Sequence, residues 1–142
     1  MIARRFALAT LVAAGVLVVS ACGMMEKMTG TMSVPLSGAN EVPPNTSPGS
    51  GTAKIELEGN NLKWTVTYSG TTGPVTAGHL HGPAAAGANA GVVVPFPGSM
   101  TSPIVGSVQL TAAQVEQLKQ GLWYVNLHTA AHPGGELRGQ VK

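Results

Sequence analysis

Aspartate is absent from this chain of 142 residues, and cysteine occurs once. The first absence excludes the usual calcium loops and any triad or metal set built on aspartate. The second excludes an intrachain disulfide, so the fold must stand on its own core. Charge is scarce as well: Asp, Glu, Lys and Arg together make up 10% of the residues. Without Arg4 and Arg5 at the very start, six basic side chains balance six glutamates. That near-neutral chain offers no electrostatic footprint for nucleic acid. No apolar run reaches the roughly 20 residues of a transmembrane helix. There is no phosphate-cradling glycine loop, no Ser-His-acid set and no internal repeat.

What is there begins with the one cysteine. Arg4 and Arg5 precede a segment from Phe6 to Val19 that is apolar except for Thr10 and Gly15, and Val19-Ser20-Ala21-Cys22 closes it. Charged start, apolar middle and small-residue cleavage site are the order of a bacterial secretory signal. A cysteine as first mature residue makes the site a lipobox, where the thiol takes a diacylglyceryl group and the signal is removed. Each buried methylene contributes about 0.8 kcal/mol, and stable anchoring takes two chains or more. The expected organisation is a signal peptide over 1–21, a lipidated methionine-rich tether over 22–32, and a domain over 33–142. The membrane, reached through acylated Cys22, is the expected partner, and the bacterial cell envelope the expected location. Gly23 rather than Asp after the cysteine points to the outer membrane, facing the periplasm or the cell surface, in a Gram-negative host. The thioethers of Met24, Met25 and Met28 suit Cu(I), but no histidine or aromatic accompanies them, and the tether reads as a plain linker.

The 121 residues from Cys22 onward suit one domain, which at that size buries roughly 65% of its unfolded surface. Ala53, Ile55 and Leu57 alternate with charged residues, as do Leu62, Trp64, Val66 and Tyr68 with Lys63, Thr65 and Thr67. Period two marks half-buried strands, and Gly59-Asn60-Asn61 joins this pair as a hairpin. Further strands are expected over 75–82, 92–96, 104–110, 122–129 and 136–141. Residues 33–38 read as a short edge strand, because Pro35 cannot donate to a central ladder. Thr111 with Gln114 three residues on forms a capping box, and Gly121 is a natural stop, which predicts a helix over 112–120. The expected fold class is mainly β: an antiparallel β-sandwich or barrel, immunoglobulin-like or superoxide-dismutase-like, with one short helix. In the last hairpin apolar meets apolar only if Leu127 faces Leu137, which sets Asn126 opposite Arg138 and His128 opposite Glu136.

All four histidines fall in two places, His79-Leu80-His81 and His128-Thr-Ala-Ala-His132. Residues i and i+2 of a strand point the same way, so His79 and His81 can converge on one ion. His128 supplies a third imidazole and His132, from the loop before Pro133, a fourth. Neutral imidazole suits copper, zinc or nickel. Asn126, Glu136 and Arg138 are the neighbours expected to fix a histidine tautomer. The competing reading is structural: imidazoles that only hydrogen-bond across strands.

Four blocks carry a resemblance: Leu36-Ser-Gly-Ala-Asn-Glu-Val-Pro-Pro44, Ala77-Gly-His-Leu-His-Gly-Pro-Ala84, Gly121-Leu-Trp-Tyr-Val-Asn-Leu-His-Thr129 and Pro133-Gly-Gly-Glu-Leu-Arg-Gly-Gln140. In these the chain resembles the CHRD domain family, named for repeats in chordin and common in bacterial secreted proteins. The resemblance implies an extracytoplasmic β-sandwich module with no general activity established for the family. It also singles out Glu41, and makes His132 the weakest of the four histidine ligands. A fainter similarity to Cu/Zn superoxide dismutases rests on the His-x-His pair. The missing aspartate and missing second cysteine depart from them sharply.

The leading expectation is therefore a lipid-anchored binding module with a copper or zinc site, no protein partner that the sequence names, and enzyme status resting entirely on that metal. A metal-dependent redox enzyme and a metal-free structural or adhesive module stand beside it. The anchoring itself is testable: Cys22→Ala is expected to lose incorporated label when cells are fed a fatty-acid analogue, and equal label on both proteins overturns the lipobox reading.

Overall fold

The computed structural model describes residues 29–142. The signal segment, Cys22 and Met24, Met25 and Met28 lie outside the described residues. Eight strands follow in order: β1 (Thr29–Ser37), β2 (Ser50–Glu58), β3 (Asn61–Ser69), β4 (Val75–His81), β5 (Val92–Pro95), β6 (Ile104–Gln109), β7 (Trp123–Thr129) and β8 (Leu137–Val141). One helix, α1 (Ala112–Lys119), separates β6 from β7, and a 3₁₀ turn, Gly38–Asn40, follows β1. All pairings are antiparallel. The strands form one sheet in the order β5-β4-β7-β8-β1-β2-β3-β6, which curls into a nearly closed barrel. Among the described residues, no helix is long and apolar enough to cross a membrane.

The alternating patterns place the core. Ala53, Ile55 and Leu57 on β2 and Leu62, Trp64 and Val66 on β3 are buried, while Lys54, Lys63 and Thr67 between them are exposed. Val34, Leu36, Leu80, Val125, Leu127, Leu137 and Val141 complete the interior from the other strands. Each such side chain contributes about 1.5–3 kcal/mol on full burial. Phe96, just past β5, stacks on Trp64 with ring centroids 4.8 Å apart. Trp64 in turn pairs with Gly106 of β6. The contact joins the two outer ends of the sheet across the barrel seam.

Two expectations are corrected. The segment read as a short edge strand is β1, longer and internal: it pairs with β2 over its whole length and with β8 at Ser37↔Arg138. It begins four residues ahead of the expected domain boundary at Ser33. Pro35 is tolerated because its carbonyl comes up against Gly139 of β8, where the ladder with β8 is already thin. A Cβ on Gly139 would lie 2.4 Å from that carbonyl oxygen, so only glycine allows the strands this close. The second correction concerns β7. The register is as expected, with Leu127↔Leu137 and Asn126↔Arg138. Yet the face away from the core is buried too, so that every residue of β7 is buried.

Helix α1 has both halves of the capping box: the Gln114 amide N–H donates to Thr111 Oγ1 (3.2 Å), and the Thr111 N–H donates to Gln114 Oε1 (2.9 Å). Val115 and Leu118 face the core, as does Leu110 ahead of the cap. Thr111→Ala is expected to destabilise the domain by about 1 kcal/mol. Denaturant midpoints measure this, and an unchanged midpoint refutes the cap.

Candidate functional site

The polar face of the β4–β7–β8 sheet carries Ala77, His79 and His81 on β4, Tyr124, Asn126 and His128 on β7, and Arg138 and Gln140 on β8. Pairing sets Ala77 against His128, His79 against Asn126 and His81 against Tyr124. The small Ala77 leaves room opposite His128, and His128 lies diagonal to His79. The three imidazoles meet there: one ring nitrogen from each of His79, His81 and His128 lies within 4.8 Å of the others. His79 and His128 touch, Nδ1 to Nε2, at 3.0 Å.

Tautomers follow from the partners. His128 Nδ1 sits 2.9 Å from the Pro133 carbonyl, and His81 Nδ1 sits 2.9 Å from the Ala90 carbonyl. A carbonyl only accepts, so both Nδ1 atoms carry the proton and both Nε2 atoms present a lone pair. His79 Nδ1 then donates to the His128 lone pair. The lone pair of His81 Nε2 is buried without a partner among the described residues. A buried unsatisfied acceptor costs about 1–3 kcal/mol. Burial, together with the other imidazoles, pushes the His79 pKa below the ordinary 6.5. Burial does the same to His81, outweighing the hydrogen bond to Ala90. Both rings are thus biased to the neutral form that a metal ion needs.

A stack braces His81 from behind. Its ring lies 4.9 Å from that of Tyr124, nearly parallel at 7°, and the Arg138 guanidinium carbon lies 3.5 Å over the Tyr124 centroid. The Tyr124 hydroxyl donates to the Ala90 carbonyl (3.1 Å) and accepts from the Ala90 N–H (3.0 Å). Arg138 holds the preceding residues of the same loop: Nη1 donates to Asn89 Oδ1 (2.7 Å) and Nη2 to the Ala88 carbonyl. Loop 82–91, between β4 and β5, is thereby fastened where it supplies the partner of His81.

The other expected residues lie outside this cluster. The His132 ring is not among the converging ligands. Its backbone closes the turn after β7 on Thr129, and its side chain favours the charged form of Glu41. Asn126 donates to Glu41 Oε1 and to the Leu137 carbonyl (3.0 Å), not to a histidine. Gly135, at φ +131°, is required beneath that contact, since a Cβ there would lie 2.6 Å from Glu41 Oε1. Asn40 and Asn45 donate to the Arg138 and Glu136 carbonyls (both 3.1 Å). The segment from Gly38 to Ser47 is therefore a polar cover over β7 and β8.

Glu136 does not face His128 either. Its carboxylate is fully buried and accepts from Ser47 Oγ, Thr129 Oγ1, Thr72 N–H (2.8 Å) and Thr72 Oγ1 (2.7 Å). Burial works to raise its pKa, but these donors outweigh it and hold the carboxyl at about 2. The group ties three loops together beside the strand end that carries His128. Tyr124, Ala90, Ser47 and Thr72 were not identifiable as partners from their residue types; only the pairing register with β4 reveals Tyr124.

A family model for the CHRD domain matches residues 32–141. No curated protein and no solved structure matches the chain. With most of its length covered, the chain belongs to the CHRD domain family.

The buried carboxylate sets an acid limit. Its folded pKa is depressed from 4.5 to about 2, so its contribution is complete above pH 4.5 and is lost as pH falls through about 2. Glu136→Gln puts an amide donor against hydroxyls and an N–H that need acceptors. It is expected to cost about 3 kcal/mol near neutral pH. The variant's stability should also fall less steeply than wild type between pH 4.5 and 2. Denaturation at a series of pH values reads both effects, and parallel curves overturn the assignment.

Proposed function

We propose that this CHRD domain is a metal-binding module of the bacterial cell envelope, held to the membrane through acylated Cys22, and that His79, His81 and His128 take one copper or zinc ion. The observation that carries the metal reading is the orphaned, buried lone pair of His81 Nε2 beside the lone pair of His128. Both rings are locked by Nδ1–H donation to a backbone carbonyl, the arrangement by which proteins orient metal-ligating histidines. Metal–nitrogen bonds of about 2.0–2.1 Å would draw three ligand nitrogens to roughly 3.4 Å apart, a modest tightening of the present cluster. An ion would also replace the His79–His128 hydrogen bond and satisfy the stranded acceptor. Three imidazoles without a thiolate or carboxylate suit copper and zinc and leave a coordination position open. The Arg4–Cys22 signal pattern supports the envelope location and the anchor.

The test is calorimetry with Cu(II) and Zn(II) on the chain cut ahead of Thr29. That cut removes Met24, Met25 and Met28 as competing ligands and leaves β1 whole. One ion per chain is expected. His81→Ala should weaken binding by more than about 100-fold and Tyr124→Phe, which loses only the orienting hydroxyl, by about tenfold. His132→Ala should bind like wild type. Affinity should fall as pH drops through the histidine range near 6.5, because ligands must be neutral. No binding, or equal binding by wild type and His81→Ala, favours the metal-free structural reading.

A further inference from the structure

Arg138 also lines an open cavity of about 720 Å³, formed with the polar cover, β1, β8 and loop 82–91. That is the size of a small-molecule site. Two buried charged side chains line it, Arg138 (2% exposed) and Glu41 (6% exposed). They do not pair with each other: among the described residues no ion pair forms with either. Of the five guanidinium N–H groups, one bonds Asn89 and one bonds Ala88, which leaves three without a partner among the described residues. Glu41 keeps one oxygen on Asn126. The Arg138 charge still reaches Glu41, since it favours the charged carboxylate, but with no direct contact between them a ligand carrying both charges can stand between the two. Val42, Pro35 and Pro44 give the same cavity an apolar wall, and Lys142 adds a second cation at its rim.

We propose that this cavity binds a small zwitterion of the α-amino-acid type, its carboxylate on the Arg138 fork, its ammonium on Glu41 and its apolar body against Val42 and the prolines. Arg138 is suited to the carboxylate end because its planar fork makes two parallel bonds. Burial raises the pKa of the Glu41 carboxyl, Asn126 and Arg138 working against it, so an arriving ammonium would stabilise the charge that burial disfavours. The proposal is independent of any metal at the histidines.

The test is an NMR titration of the full-length chain in detergent with three probes: L-leucine, N-acetyl-L-leucine and L-leucinamide. L-leucine is expected to give saturable shifts at Ala86, Gly87 and the Arg138 Nε–H. Each of the other two lacks one charge and should bind more than about tenfold more weakly. Glu41→Gln should narrow the gap between L-leucine and N-acetyl-L-leucine. Because Arg138 also braces the fold, the blocking variant is Ala86→Trp, an exposed lining position where the indole fills the cavity without disturbing a buried contact. Its spectrum should stay folded and its L-leucine shifts should vanish. No saturable shift in wild type, equal response to all three probes, or undiminished binding by Ala86→Trp overturns the proposal.

Discussion

Strand β7 is buried on both faces, and everything distinctive in this domain answers the need to satisfy its polar side. Trp123, Val125 and Leu127 belong to the barrel core. Tyr124, Asn126 and His128 point the other way, into a layer built from loops, not from a second sheet. Buried polar groups without partners are costly, so the loops must deliver donors and acceptors at fixed places. Glu41 does so for Asn126 from the segment after β1, Ala90 for Tyr124 from the loop after β4, and Pro133 for His128 from the turn after β7. The conformations of three long-range segments are set by one strand.

That demand explains which motifs the chain carries. The block from Leu36 to Pro44 leaves β1 at Ser37, turns at once, and lays Asn40 and Glu41 across β7 and β8. The run from Pro133 to Gln140 supplies the Pro133 carbonyl to His128, the glycine that Glu41 and Asn126 need at position 135, and the Glu136 carboxylate that gathers Ser47, Thr72 and Thr129. Glu136 is a buried charge stabilised by hydrogen bonds alone. It fixes loop ends that would otherwise fray beside the histidines.

The sequence made the core legible because β2 and β3 alternate cleanly, and the helix legible because a capping box is local. The register of β7 on β8 was legible too, since a slip would have turned Leu127 away from Leu137. The convergence of His79, His81 and His128 followed from strand periodicity and one correct neighbour relation. What stayed hidden was non-local. Pro35 argued for an edge, and only the thin β1–β8 ladder and Gly139 show why it sits inside the sheet. Asn126, Glu136 and Arg138 share a face with the histidines in the sequence pattern, which points to them as partners of the histidine nitrogens. The nitrogens instead chose backbone carbonyls of Ala90 and Pro133, groups that every residue has and no sequence pattern marks.

The same non-local contacts couple the two halves of the polar layer. Loop 82–91 is held from one side by Arg138, through Asn89 and Ala88, and from the other by His81 and Tyr124, through Ala90. The guanidinium, phenol and imidazole are stacked in series, so displacement of one is felt by the next. A ligand on the free N–H groups of Arg138 would share the guanidinium that already holds Asn89 and Ala88. An ion that drew His81 toward His128 would pull on the carbonyl of Ala90, the next residue along the loop. If both proposed sites fill, any coupling through this shared element must be reciprocal. Residues 88–90 are the stretch that Arg138 on the one hand and His81 with Tyr124 on the other both hold.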